Sequence, residues 1–409
     1  MRNTLGKQII NSYHIYIFQT VIVDFYTIYN DCFCVSKKNV KILYYFIVQT
    51  KYFCYNTIKY YCNVKFGKRG VQIMSGYNLA EGRYENRTLS EDEMWSVFSN
   101  LFSSRSKNSS SYKFGFLKSI MDNLYNVDQN LILTFDQLFS TFTEVYWNLV
   151  LKYGIRQQPV STHFKGTYLE QALNATVTKY TIAIGVPFES ISDEAKLEVC
   201  KKVKTKCKIN VVGALFGDTK GLFYSFSRKG EWLQINPQMY EFVCKHKVVL
   251  EKLNYYEWAK YLEKINEDAV MDHLLTKIDQ SSERENLSVY RRILFQEFEN
   301  DKCFYCGKKL TNDGEKIHVD HFVSWSFIKD DKMWNLVLSC PTCNLNKNDK
   351  LAHIIFLEKL LDRNNKIILI NENAKDMRHY KEQNLRAVYY WAKLNGYDSI
   401  WQPKKLIEI

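Results

Sequence analysis

Four cysteines, an aspartate, a histidine and two asparagines near the C-terminal end of this 409-residue chain have the types and spacing for metal-bound chemistry. Cys303 and Cys306 form one Cys-x-x-Cys pair, Cys340 and Cys343 a second, and 33 residues (307–339) separate them. A pair of this spacing turns both sulfurs toward one point, so two pairs supply four thiolates, the ligand set of a tetrahedral structural zinc. With sulfur in all four positions, no coordination site stays open to water, and such a metal holds the fold without performing a reaction. The competing reading is two disulfides or four unrelated thiols. With no secretory signal readable in the sequence, the regular pairing favours Zn2+.

Between the two pairs, Val319-Asp320-His321-Phe322-Val323 reads as a short apolar strand carrying two polar groups. Asn335 follows inside the apolar run Trp334–Leu338, and Asn344 and Lys347 come just after the second pair, where a helix is expected to open and continue through Leu351 to Leu361. At these residues the chain resembles the HNH endonuclease family, whose motif has an Asp-His pair, then an Asn, then a His or Asn beside Cys-x-x-Cys cysteines. The corresponding residues are Asp320, His321, Asn335 and Asn344, with 14 residues from His321 to Asn335 and 23 from His321 to Asn344. The spacing, with Ser326-Phe327 and Asp330-Asp331 between, also looks like the HNH nuclease of RNA-guided DNA-cutting effectors. The resemblance covers about residues 285–360, and nothing else in the chain is similar to those effectors, so the nuclease carries over and the guide RNA does not. Ser324 stands where many members have Pro, and the third motif residue is Asn instead of His, which keeps one metal-ligating oxygen and removes an imidazole.

Residue chemistry supports the roles that the resemblance implies. Neutral imidazole has a pKa of about 6.5, so His321 can take a proton from water as general base. Asp320 and the side-chain oxygen of Asn344 are hard ligands for Mg2+ or a similar divalent cation at the scissile phosphate. Asn335 is expected to fix the ring of His321, and Lys347, Arg291 and Arg292 to contact phosphates. His318 shares a strand face with Asp320 by period-two alternation and is a further candidate for approaching the metal.

The elements around this segment must position it. A polar linker is expected at Ser281–Asn286, and a helix over Leu287–Phe298 leads into the nuclease. Upstream, Ser90-Glu-Asp-Glu93 is a capping box, and helices are expected over Tyr112–Tyr125, Leu133–Tyr153, Tyr168 to about Ile182, from Ser192, and Met239 to about Lys277. Strands are expected at Ile209–Phe216, Gly221–Ser227 and Glu231–Ile235, with Lys220, Arg228 and Lys229 at hairpin tips that either touch DNA or are simply solvated. A helical extension closes the chain through Trp391 and Trp401.

Global charge adds little. The formal net charge is +12, but residues 1–73 hold ten Lys/Arg against Asp24 and Asp31, which is +8, leaving 46 minus 42, or +4, for the remainder. That leader has no Ala, Pro, Trp or Glu but ten Tyr, ten Ile and four Cys, a composition like translated AT-rich DNA, and the expectation is that the native start is Met74. Its apolar stretches make poor membrane spans: Ile15–Tyr29 is broken by Gln19 and Asp24, and Val40–Val48 falls short of the roughly 20 residues needed. Cys32, Cys34, Cys54 and Cys62 lack zinc-site spacing.

The expected fold is α+β: a leader (1–73), a mostly helical accessory domain with β-hairpins around 209–235 (74–284), a ββα-metal HNH nuclease with its zinc clip (285–362) and a helical extension (363–409). The expected activity is metal-dependent hydrolysis of double-stranded DNA, in a cytoplasmic, bacterial setting of phage restriction or a mobile element. Protein partners or a homo-oligomer would form through the helical domain, with no membrane involvement. Two alternatives stay open, a zinc-dependent DNA-binding protein without catalysis and an RNA-cutting HNH toxin.

Overall fold

Hydroxyl caps set the helical half in register. Ser90, Thr134 and Thr167 each accept from the backbone amide three residues on, and Glu93, Gln137 and Glu170 return the bond to the cap's own amide. In chain order this half comprises β1 (Glu81–Gly82), α1 (Glu91–Leu101), α2 (Tyr112–Asp122), β2 (Ile132–Thr134), α3 (Phe135–Trp147), α4 (Tyr168–Tyr180), α5 (Asp193–Cys207), α6 (Val211–Asp218), β3 (Tyr224–Ser227), β4 (Trp232–Ile235), α7 (Pro237–Glu263) and α8 (Leu274–Asp279). The strands form an antiparallel sheet in the order β1-β3-β4-β2. Phe116, Phe135, Phe139, Phe142, Tyr146 and Trp147 are fully buried, so the aromatic stripes of α2 and α3 are core.

The second half continues with α9 (Ser288–Gln296), β5 (His318–His321), α10 (Trp325–Ile328), β6 (Leu336–Ser339), α11 (Pro341–Lys347), β7 (Leu351–Ala352), α12 (Ile354–Ile370), α13 (Glu382–Leu394) and β8 (Ile400–Trp401). β5 and β6 pair antiparallel, with Asp320 opposite Val337 and His321 opposite Leu336. With α11 they make the ββα layout, and α9 packs on both strands. The fold class is α+β, as expected.

The computed structural model describes residues 78–103, 106, 108–159, 166–267, 272–282, 287–296, 301–310, 317–370, 377 and 380–404. These belong to one compact unit. The leader, its cysteines and its start at Met74 lie outside the described residues, as do 283–286 of the expected linker. No described helix is long and apolar enough to cross a membrane.

Four expectations need correction. The run Ile209–Phe216 is not a strand: residues from Val211 form α6, burying Val211, Val212 and Leu215 on one helical face. A short apolar run lacks the periodicity to separate the two. The helix expected from Leu133 begins two residues later, because Ile132–Thr134 pair with β4. The helix after Cys343 does not run on to Leu361. It stops at Asn348, whose φ is +50°, and Leu351–Ala352 pair in parallel with Ile400–Trp401 before α12 begins. The partner strand lies about 50 residues downstream, beyond the reach of any local pattern, and it also corrects the extension expected to be helical through Trp401, whose last described helix ends at Leu394.

The helical half docks on the second half through the β5–β6 connection. Phe327 is fully buried, its ring 5.7 Å from that of Tyr125 and 5.4 Å from that of Tyr397. Beside it, Asn126 Nδ2 donates to Asp330 Oδ2 at 2.5 Å. Burying a Phe contributes about 1.5–3 kcal/mol, against a net of about 1 kcal/mol for a hydrogen bond, so the aromatic contact holds the junction and the amide sets its register. A second tie uses a kink: at His246 (φ −116°, ψ 18°) α7 leaves helical geometry. Asn395 fills the gap, its Oδ1 accepting from Val248 N and its Nδ2 donating to Cys244 O, both at 2.9 Å. A side-chain amide inserted into the helix ladder is a recognised cause of such a kink.

Candidate active site

The four cysteines converge. Their sulfurs all lie within 4.8 Å of one another, and Cys306 Sγ is 3.8 Å from Cys340 Sγ. Zn–S bonds of about 2.3 Å at tetrahedral angles give an S–S edge of about 3.8 Å, so the sulfurs fit a zinc ion. Local geometry makes the two pairs. Gly307 N donates to Cys303 O and Cys303 N to Lys308 O, closing a tight knuckle with Gly307 at φ +65°. Cys340 caps α11, Pro341 takes its first position, and Cys343 sits in the first turn. Burial pushes the Cys303 thiol up to about 11. Burial also raises Cys306, but the Lys308 backbone amide and the neighbouring thiols outweigh it and hold this thiol below its usual value.

β5 carries the polar groups. Asp320 and His321 are both buried, and Asn335 is fully so. Asp320 Oδ2 accepts from the Tyr305 hydroxyl at 2.5 Å. The Lys347 ammonium lies 3.1 Å from Asp320 Oδ2, donates to Asp320 Oδ1 at 3.3 Å and donates to the His321 carbonyl at 2.8 Å. Asn344 Nδ2 is 2.9 Å from His318 Nδ1, so the structure places His318 beside Asn344. On the imidazole of His321, Nε2 is 2.5 Å from Asp331 Oδ1.

Two sequence-based roles change here. Asn335 does not touch the ring of His321. Its Oδ1 accepts from Val323 N at 2.9 Å and its Nδ2 donates to Val323 O at 2.8 Å, so it clamps the backbone two residues beyond His321. Lys347 is fully buried, so its ammonium is an internal partner of Asp320 instead of a phosphate contact. Burying an ammonium is costly without a counter-charge, and Asp320 supplies one. Arg292 is exposed and Arg291 half-buried on α9. Arg228 at the hairpin tip donates to the Ile209 and Asn78 carbonyls and so braces the sheet, while Lys220 and Lys229 are exposed.

Sequence reading gave no role to Asp331 or Tyr305. Asp331 was visible only as half of an Asp-Asp pair, and Tyr305 only as filler within Cys-x-x-Cys. From the far side, Arg363 of α12 donates to the Leu336 and Met333 carbonyls and Asn364 to that of Trp334, which straps down the segment bearing Asn335.

Comparison with known proteins agrees with this geometry: residues 303–353 match the family model for HNH endonucleases. No curated protein and no solved structure matches the chain. The similarity to HNH endonucleases therefore covers the segment that carries the four cysteines, Asp320, His321, Asn335 and Asn344.

Proposed function

We propose that the chain is an HNH endonuclease that hydrolyses DNA phosphodiester bonds, with His321 as general base. The contact of His321 with Asp331 carries this reading. With Nε2 occupied by Asp331, Nδ1 is the nitrogen left to take a proton from the attacking water, and the neighbouring carboxylate stabilises the imidazolium that results. Asn335 contributes by fixing the backbone beyond His321, and therefore where the imidazole sits.

Asp320 and Asn344 would hold the divalent cation, Mg2+ in our reading. Asn344 commits its nitrogen to His318, which leaves its oxygen as the end available to a cation. When bound, that cation would supply charge to stabilise the phosphate and the departing oxygen. The zinc set by the four cysteines is structural, since all its positions are filled by sulfur. Arg291 and Arg292 are our candidates for phosphate contacts. By analogy, a helical sensing or recruiting region joined to a nuclease suits phage restriction or a mobile element in a bacterial cytoplasm.

The test is to incubate the purified, zinc-loaded protein with supercoiled plasmid, linear duplex and single-stranded RNA, each with Mg2+ or with EDTA. Cleavage of DNA that needs Mg2+ is the expected result. Cleavage of RNA alone would move the substrate class, and specific DNA binding without cleavage would leave a zinc-dependent binding protein.

A further inference from the structure

Tyr305 lies between the zinc-knuckle cysteines and is 1% exposed. Its ring meets those of Phe304 (5.2 Å), Phe356 (5.4 Å) and Trp401 (5.2 Å), each edge-on. A phenylalanine would satisfy all three contacts, so packing does not account for the hydroxyl. A buried hydroxyl without a partner is destabilising, and the partner here is Asp320 Oδ2 at 2.5 Å. The knuckle that places Tyr305 is the one whose sulfurs converge with those of Cys340 and Cys343.

We propose that Tyr305 is a positioning residue for Asp320: its hydroxyl fixes Oδ2 of the carboxylate whose Oδ1 accepts from Lys347, directs the lone pairs that these two donors leave toward the exchangeable cation, and so links the zinc knuckle to the affinity of the second metal site. This deepens the proposed function and rests on its assignment of Asp320 as a cation ligand. The C-terminal strand takes part, because Trp401 of β8 packs edge-on against the Tyr305 ring.

The test measures cation binding directly. Zinc-loaded wild type, Tyr305→Phe and Asp320→Ala are titrated with Mn2+, and free Mn2+ is followed by its EPR signal. Tyr305→Phe is expected to bind Mn2+ about tenfold more weakly, the scale of one hydrogen bond to a charged group, with zinc content unchanged. Asp320→Ala is expected to lose the site. In cleavage assays Tyr305→Phe should approach the wild-type rate at saturating Mg2+, with its Mg2+ midpoint shifted, whereas a loss of structure would lower the rate at every concentration. Wild-type Mn2+ affinity in Tyr305→Phe, with binding lost in Asp320→Ala, overturns the role of Tyr305 and leaves the cation site standing. Wild-type affinity in Asp320→Ala overturns the cation site itself. Loss of zinc from Tyr305→Phe assigns the hydroxyl to the knuckle and also overturns the proposal.

Discussion

His321 Nε2 and Asp331 Oδ1 are 2.5 Å apart, although ten residues separate them in sequence and different elements carry them. His321 ends β5, whereas Asp331 lies in the connection that also carries Asp330, the partner of Asn126. The ring that would act as general base is thus oriented by a loop held in place by the helical half.

Asp331→Ala is expected to lower the single-turnover cleavage rate about 10- to 100-fold, the usual cost of removing an orienting group next to a reactive centre. Asp331→Asn, which can still accept a hydrogen bond but lacks the charge, should fall between. Zinc content and the Mg2+ midpoint should not move, and metal analysis with quenched-flow rates checks both.

Asn335→Ala removes two buried hydrogen bonds to Val323 and leaves that backbone pair without partners. A loss of about 2–4 kcal/mol in stability is expected, from about 1–2 kcal/mol for each unsatisfied buried group. Urea unfolding measures it. Activity should fall together with stability, in contrast to Asp331→Asn, because Asn335 acts through the backbone.

Removal of zinc should unfold the segment around the cysteines while a helical signal persists, since α2 and α3 carry none of the cysteines and pack on each other. Cys340→Ser should behave in the same way. Circular dichroism and proteolysis before and after chelation would show protection lost around residues 301–347 and kept in α2 and α3.

Asp330 gives a pH prediction. Burial raises its carboxyl above the usual value of 3.8, against the opposing effects of Lys332 and Asn126. A carboxyl raised in the folded state favours the protonated form, so its contribution is fully present below about pH 4 and is lost as pH climbs through the raised value. Asp330→Asn should remove this dependence. Melting temperatures of wild type and variant between pH 4 and 7 are expected to diverge as pH rises, with the variant gaining relative to wild type.

The cysteine cluster and the motif were legible because they are encoded in short spacings: four sulfurs in two pairs, and Asp-His on a strand. The capped helices were legible for the same reason, through Ser90, Thr134, Thr167 and Ser192. What escaped is nonlocal. The partner of Leu351–Ala352 is Ile400–Trp401, and the partner of Asp320 is a tyrosine set in sequence among the clustered cysteines. The duty of Asn335 escaped for a different reason: the residue type and spacing are right, but one amide serves a ring or a backbone equally well until the loop's path is known.

The most direct test compares wild type with His321→Ala on plasmid DNA in Mg2+ under single-turnover conditions, with zinc content and melting temperature measured on the same samples. The expected result is a rate lower by about 10²–10⁴-fold, the scale of a general base, with zinc and fold retained. Cleavage by His321→Ala at the wild-type rate would contradict the assignment of His321 as the general base.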